Sequence, residues 1–307
     1  MLAYYLNDLS PYIYQFPNGM GLHWYGLAYV LSFIVGGWLY RWLAERGYTD
    51  LPSQQVSDFI CWAAVFGVML GGRVGWILFY GIWQDHANDP WYWPFAVWSG
   101  GMASHGGILG LVLFTLYWSR RHKVSWTSIG DCLVVVAPIG LFVVRLANFV
   151  NGELYGRVAG EPGGKASVPW AMLFPKELDS RGPGFQCPPL KDLQHDEAVR
   201  AQLREILPPR HPSQLYEALL EGVILFTALW FLRTRCRMPR GVVTGAFFIL
   251  YAILRIIGEM FREPDPAWHV GGISAGQFLS IFLVFIGAAF IYFGWRRQEY
   301  ERVFQKA

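Results

Sequence analysis

The chain is dominated by windows of about twenty predominantly apolar residues, the length a helix needs to cross roughly 30 Å of bilayer hydrocarbon. They fall near 22–43, 57–80, 101–119, 128–150, 213–233, 242–261 and 273–296. The expected fold is therefore an all-α polytopic membrane protein of about seven transmembrane helices. Trp24, Trp42, Trp118, Trp126, Trp230 and Trp295 sit at or near the window ends, as an interfacial aromatic belt requires. Glycines recur inside the windows (Gly36-Gly37, Gly71-Gly72 and Gly75, Gly106-Gly107 and Gly110), where they let helix backbones approach closely.

Only 15% of the 307 residues are charged, against about a quarter in soluble domains. The mean hydropathy of +0.28 is modest for a membrane protein, because a polar segment at 155–211 dilutes the spans. That segment is rich in Pro and Gly (Pro162-Gly163-Gly164, Gly182-Pro183-Gly184, Pro188-Pro189, Pro208-Pro209), so it reads as a small irregular subdomain and not a further span. A net charge of +3 without a basic stripe gives no reason to expect nucleic acid. The four cysteines show no CxxC spacing, and no zinc site or disulfide framework is expected. Residues 1–21 hold no Lys or Arg but are rich in Tyr and Phe; they read as an interfacial arm and not as a signal peptide.

Orientation follows from the basic residues. The loops near 41–55, 120–127 and 233–241 hold two, three and four Lys or Arg, and the chain from Arg296 onward four more. The alternate short loops are nearly free of them, and long loops translocate regardless of charge. The N-terminal arm (1–21) and the 155–211 insertion are thus expected outside. Spans 22–154 and 212–296 form the membrane body, and the 297–307 tail is expected in the cytoplasm.

Charged and polar residues inside spans are costly and read as functional by default. With this topology they converge on one outward layer: Tyr25, Arg73, His105, Arg145, Asn148, then Asn151 and Glu153 just beyond, with Gln214, Glu217, Glu221, Tyr251, Arg255 and Glu259. Arg145 and Asn148 share a helix face, and Tyr251, Arg255 and Glu259 form an i,i+4,i+8 stripe. Intramembrane arginines without an equal supply of nearby aspartates suit an anionic ligand such as a phospholipid headgroup, because guanidinium binds phosphate through paired hydrogen bonds. The competing readings are a lipid transporter using the same cavity, or a scaffold whose charges only pair helices. Asp58 and Asp131, at inner helix ends, suit anchoring or capping better than catalysis. The chain has no GxSxG elbow, HxxxxD or HExxH, so serine-hydrolase, glycerolipid-acyltransferase and metal chemistry lack their motifs. No cofactor or metal is expected.

The run Arg145-Leu146-Ala147-Asn148-Phe149-Val150-Asn151-Gly152-Glu153-Leu154-Tyr155-Gly156-Arg157 resembles the signature of the prolipoprotein diacylglyceryl transferase family. His211-Pro212-Ser213-Gln214-Leu215-Tyr216-Glu217 is a second match, with shorter ones at His23-Trp24-Tyr25-Gly26, Gly71-Gly72-Arg73, Ser104-His105-Gly106-Gly107 and Arg255 to Glu263. The resemblance implies an enzyme of the bacterial inner membrane. Its members move the diacylglyceryl group of phosphatidylglycerol to the lipobox cysteine of an exported preprolipoprotein, releasing glycerol 1-phosphate. Partners would be that lipid, the preprolipoprotein signal peptide and the surrounding membrane lipids. The expected catalytic residues are His105, to take the thiol proton, with Arg145 and Arg255 to stabilise the leaving phosphate. Tyr25, Arg73, Asn148, Asn151, Glu153, Gly156, Tyr251 and Glu259 are expected to bind substrate, Glu153 and Glu259 by orienting the arginines.

Overall fold

The computed structural model describes residues 4–16, 21–83, 90–96, 100–182, 185–263, 269–270 and 273–305. The N-terminal segment forms three short strands, β1 (Tyr5–Leu6), β2 (Tyr12–Gln15) and β3 (Gly21–His23). Helix α1 (Trp24–Glu45) follows, then α2 (Val56–Trp62), a π-helical stretch (Ala63–Met69) and α3 (Leu70–Phe79), which run on as one rod. Next come α4 (Ser104–His122) and α5 (Trp126–Val150). The 155–211 segment carries β4 (Met172–Leu173), α6 (Leu190–His195) and α7 (Glu197–Ile206). A second composite rod joins α8 (Ser213–Glu217), a π-helical stretch (Ala218–Ile224) and α9 (Leu225–Arg235). The chain ends with α10 (Val242–Glu259), the pair β5 (His269–Val270) and β6 (Ile273–Ser274), α11 (Ala275–Arg297) and α12 (Arg302–Gln305).

Among the described residues six helical stretches are long and apolar enough to cross a membrane: Trp24–Glu45, Ser53–Trp83, Trp126–Val150, Ser213–Arg235, Val242–Glu259 and Ser280–Arg297. The protein is a multi-pass membrane protein. The remaining window, expected at 101–119, is α4, whose ends carry His105 and the Arg120-Arg121-His122 run and so lower its average hydropathy.

Two different forces assemble the bundle. Near the start of α5, the side chains of Tyr40, Phe59, Trp118, Ile129, Cys132, Val135, Leu225, Leu229 and Val243 pack into the main apolar core. Between the first composite rod and α4, by contrast, contact is backbone on backbone. A Cβ on Gly71 would lie 2.6 Å from the Gly106 carbonyl oxygen, and one on Gly110 would meet the Gly67 carbonyl. Lipid gives helices no hydrophobic reason to associate, so such small-residue seams supply close packing instead.

The same end of the bundle is tied by buried charge. The Asp131 carboxylate accepts the Gly241 and Thr244 backbone N–H groups and the Thr244 hydroxyl, satisfying donors at the start of α10. Arg233, fully buried, pairs with Asp131 at 3.4 Å and with Glu301 at 3.1 Å, and donates to the Tyr48 carbonyl. Arg240 bridges Asp50 (2.6 Å) and Glu301 (3.1 Å). The segment after α11 thus folds back to insert Glu301 between two arginines.

At the other end, β1 pairs in parallel with β4, and Asn7 donates to the Phe149 carbonyl at the close of α5. Leu6 joins Leu173, Leu178, Leu193, Leu203 and Leu207 in a second apolar cluster. Arg210 holds this subdomain to the bundle through Glu177 (2.6 Å), Glu263 (2.8 Å) and the Gly156 carbonyl. Burial pushes the Glu177 carboxyl up, but the hydrogen bonds and charges of Arg210 and Arg181 outweigh it and hold the group below its ordinary range.

Candidate functional site

The close of α5, the second composite rod and α10 meet in a lattice of opposite charges. Arg145 projects from α5, whose next turns are fixed by Asn7 and the β1–β4 pair. Glu217 ends α8 and Glu221 lies in the π-helical stretch that follows; both side chains are fully buried. Gly222 permits this, since a Cβ there would lie 2.6 Å from Cβ of Phe142 on α5. A π-turn widens the helix and is a frequent mark of functional sites. Arg255 and Glu259 stand one turn apart on α10.

Arg145 reaches Glu217 and Glu221, each at 3.1 Å. Arg255 reaches the same two carboxylates at 3.1 Å and Glu259 at 2.6 Å. Arg262, just past α10, lies 3.7 Å from Glu217 and 3.9 Å from Glu259. Three guanidiniums and three carboxylates thus balance formally. Among the described residues no aspartate joins the lattice; its acids are glutamates, two on the second composite rod and one on α10. Both central arginines keep 13% of the side chain exposed, and their Nε donors have no hydrogen-bond partner among the described residues. The lattice is therefore formally neutral, and both central arginines stay partly accessible.

A second group adjoins it. Glu153, just past α5, accepts a hydrogen bond from Asn151 (3.1 Å) and lies against the Tyr25 hydroxyl, while its backbone carbonyl accepts from Gln214 (2.8 Å). Glu153 therefore orients Asn151 and Tyr25; Glu217, Glu221 and Glu259 orient the arginines. Asn148 is buried one turn beyond Arg145 on α5. Tyr251 stacks on Phe247 one turn before Arg255.

Three expected site residues are not among the hydrogen-bond or ion-pair partners of the lattice within the described residues. Arg73 is buried, with its guanidinium on the backbone carbonyls of Trp93, Pro94, Gly100 and Gly101 and over the Trp76 ring. Those contacts make it a clamp for the chain leading into α4. His105 is exposed in the first turn of α4 and makes no hydrogen bond or ion pair among the described residues. Gly156 is a close-approach position. Its N–H donates to the His211 carbonyl, and a Cβ would lie 2.6 Å from the Phe261 carbonyl oxygen.

The comparisons agree with one another. The family model described as prolipoprotein diacylglyceryl transferase matches residues 11–293. The chain belongs to the prolipoprotein diacylglyceryl transferase family. It is 41% identical to the phosphatidylglycerol–prolipoprotein diacylglyceryl transferase of Rhodospirillum centenum, over 87% of this chain and 85% of the relative. It is 40% identical to the proteins of the same name from Shigella boydii serotype 4 and Escherichia coli O1:K1, over 99% of this chain and all of each relative.

Within this transferase frame, Glu217 and Glu221 stand in the polar layer expected from the sequence but without an assigned role, and Arg262 stands outside it. The first two carried a signal, the i,i+3,i+7 stripe with Gln214, but what identifies their role is the need of two intramembrane arginines for counter-charge. Arg262 follows its span as a single loop cation, a pattern that carries no signal.

Proposed function

We propose that this protein transfers the diacylglyceryl group of phosphatidylglycerol to the lipobox cysteine of an exported preprolipoprotein, the first step of bacterial lipoprotein maturation. It works in the inner membrane with its N-terminus and the 155–211 subdomain outside and its C-terminus in the cytoplasm. The observation that carries the reading is the convergence of Arg145 and Arg255 on shared buried glutamates, inside a chain of this family.

In the reaction the cysteine thiol gives up its proton, sulfur bonds to the terminal glycerol carbon of the diacylglyceryl group, and that carbon's bond to the phosphate oxygen breaks. Glycerol 1-phosphate departs with the bonding electrons. Negative charge moves from sulfur to phosphate, so fixed cations at the phosphate stabilise the transition state more than the ground state. Arg145 and Arg255 supply those cations through donors left open by the glutamates, and the neutral lattice avoids the cost of holding two bare guanidiniums in a membrane before lipid arrives. Asn148, Tyr25 and Tyr251 bind the headgroup, and the Asn151–Glu153 pair positions Tyr25. His105, exposed at the start of α4 and without a hydrogen-bond partner among the described residues, takes the thiol proton; the thiolate is the reactive form, and an ordinary cysteine titrates near 8.5, above neutral pH.

The test uses purified protein, phosphatidylglycerol and a lipobox peptide, with mass spectrometry for the diacylglyceryl thioether and a coupled assay for glycerol phosphate. Both products should form, neither should form with a Cys→Ser peptide, and Arg145→Ala or Arg255→Ala should cut turnover by roughly 100-fold or more. Folded protein that binds the lipid without forming either product would overturn the assignment. Substantial turnover in His105→Gln would move the proton acceptor to the leaving phosphate.

A further inference from the structure

At the end of the bundle remote from the arginine–glutamate lattice, α4 presents a strip of chemistry that the transfer reaction does not use. Leu113, Leu116, Tyr117, Arg120 and Arg121 line an open groove of about 480 Å³. Their i,i+3,i+4,i+7,i+8 spacing places them on one helix face, while Phe114, Thr115, Trp118 and Ser119 on the opposite face are buried. Leu113 and Tyr117 are 59% and 62% exposed. Arg120, Arg121 and Lys123 are exposed as well, and none of the three makes an ion pair or hydrogen bond among the described residues. Two cations at this end, Arg233 and Arg240, are by contrast neutralised by Asp131, Glu301 and Asp50. No Asp or Glu occurs between Ser104 and Gly130, and Asp131 is committed to Arg233 and the start of α10.

We propose that this face of α4 is a binding site for an anionic phospholipid, with its phosphate on Arg120, Arg121 and Lys123 and an acyl chain along Tyr117, Leu116 and Leu113. Three unpaired cations at a membrane boundary attract anionic headgroups, each contributing separately, and the apolar strip below them continues the headgroup's direction into the hydrocarbon. The site is not the transfer site. α5 begins directly after the turn at Lys123, and Arg145 lies nineteen residues along it from Trp126, roughly 28 Å at the helical rise. The occupant therefore belongs to the leaflet opposite the lattice.

The full-length protein is reconstituted in nanodiscs of phosphatidylcholine containing phosphatidylserine, an anionic lipid other than the proposed substrate, then released into mild detergent for native mass spectrometry. Wild type should retain one phosphatidylserine that an Arg120→Gln/Arg121→Gln/Lys123→Gln variant holds roughly tenfold or more weakly. High salt should strip that lipid from wild type. An Arg120→Lys/Arg121→Lys variant should keep it, and so should Arg255→Ala, which removes a lattice cation instead. Equal retention in wild type and the glutamine variant, equal retention of phosphatidylcholine, or a bound lipid indifferent to salt would each overturn the site. Should the glutamine variant fail to fold, the lysine variant and the salt titration on wild type decide alone.

Discussion

Arg145 and Arg255, on different helices, share two carboxylates: each reaches Glu217 and Glu221 at 3.1 Å. Neither acid belongs to one arginine. The two cations are held in fixed relation by a pair of anions that solvent does not touch, which is the arrangement a ligand with several phosphate oxygens needs to meet both at once.

Removing either anion should therefore act on both cations. Glu221→Ala leaves two neighbouring guanidiniums with one shared carboxylate in a buried setting, and losing one member of a buried pair costs about 3–5 kcal/mol. The expected outcome is a lower thermal midpoint in detergent together with at least a tenfold loss of thioether formation. Glu221→Gln, which keeps the shape, should recover more of the stability than of the turnover.

Arg73 should behave as a structural clamp. Arg73→Lys keeps the charge but loses the planar fork that reaches several carbonyls. Hydrogen bonds from a charged donor contribute about 1.5–3 kcal/mol each, so Arg73→Lys and Arg73→Ala should both lower stability by about 2–4 kcal/mol. The lipid KM of whatever protein remains folded should stay near wild type. A selective rise in KM at unchanged stability would place Arg73 at the lipid instead.

The Arg210–Glu177–Arg181 group gives the 155–211 subdomain a pH dependence. Glu177 is held below its ordinary value in the folded protein, so its stabilisation is complete above the unfolded glutamate pKa of about 4.3 and is lost as pH falls through the lower folded value. Thermal midpoints of wild type and Glu177→Gln should differ clearly at pH 7 and converge below about pH 4. A gap that widened on acidification would refute the ion-pair account.

The glycine seam allows a paired comparison. Gly106→Val inserts a side chain against the Gly71 carbonyl and the Gly75 backbone and should reduce the yield of folded protein sharply. Gly26→Ala, where nothing lies within 4 Å of the new methyl, should leave the melting temperature unchanged or slightly higher, as expected for a glycine replaced inside a helix. Circular dichroism melts of both proteins in the same detergent would decide the point.

The membrane architecture was legible because hydrocarbon thickness imposes one length on every span, and α5 and α10 follow the apolar windows closely. Arg145 and Arg255 were legible because an intramembrane cation demands a reason. Their pairing with Glu217 and Glu221 was not, since 72 and 38 residues separate Arg145 and Arg255 from Glu217 and only tertiary packing brings them together. The partners of Arg73 were not legible, because they are backbone carbonyls, which every residue possesses and no pattern marks. Gly156 lies within the family signature, and its surroundings leave no room for a side chain, a constraint that only the packing reveals. The docking of β1 against β4 joins segments 167 residues apart through two short strands, too little sequence to announce itself.

The return of Glu301 to the bundle also orders events in time. Arg233 is made 68 residues before Glu301 and sits in a helix that must enter the membrane first. Until the end of the chain arrives, Arg233 has Asp131 but lacks its second anion, and Arg240 has Asp50 alone. Synthesis proceeds from the N-terminus, so the end of the bundle around Asp131 closes only when almost the whole polypeptide has been produced. A chain cut short before Glu301 would hold every span and still lack the bolt that fastens α9 to α10.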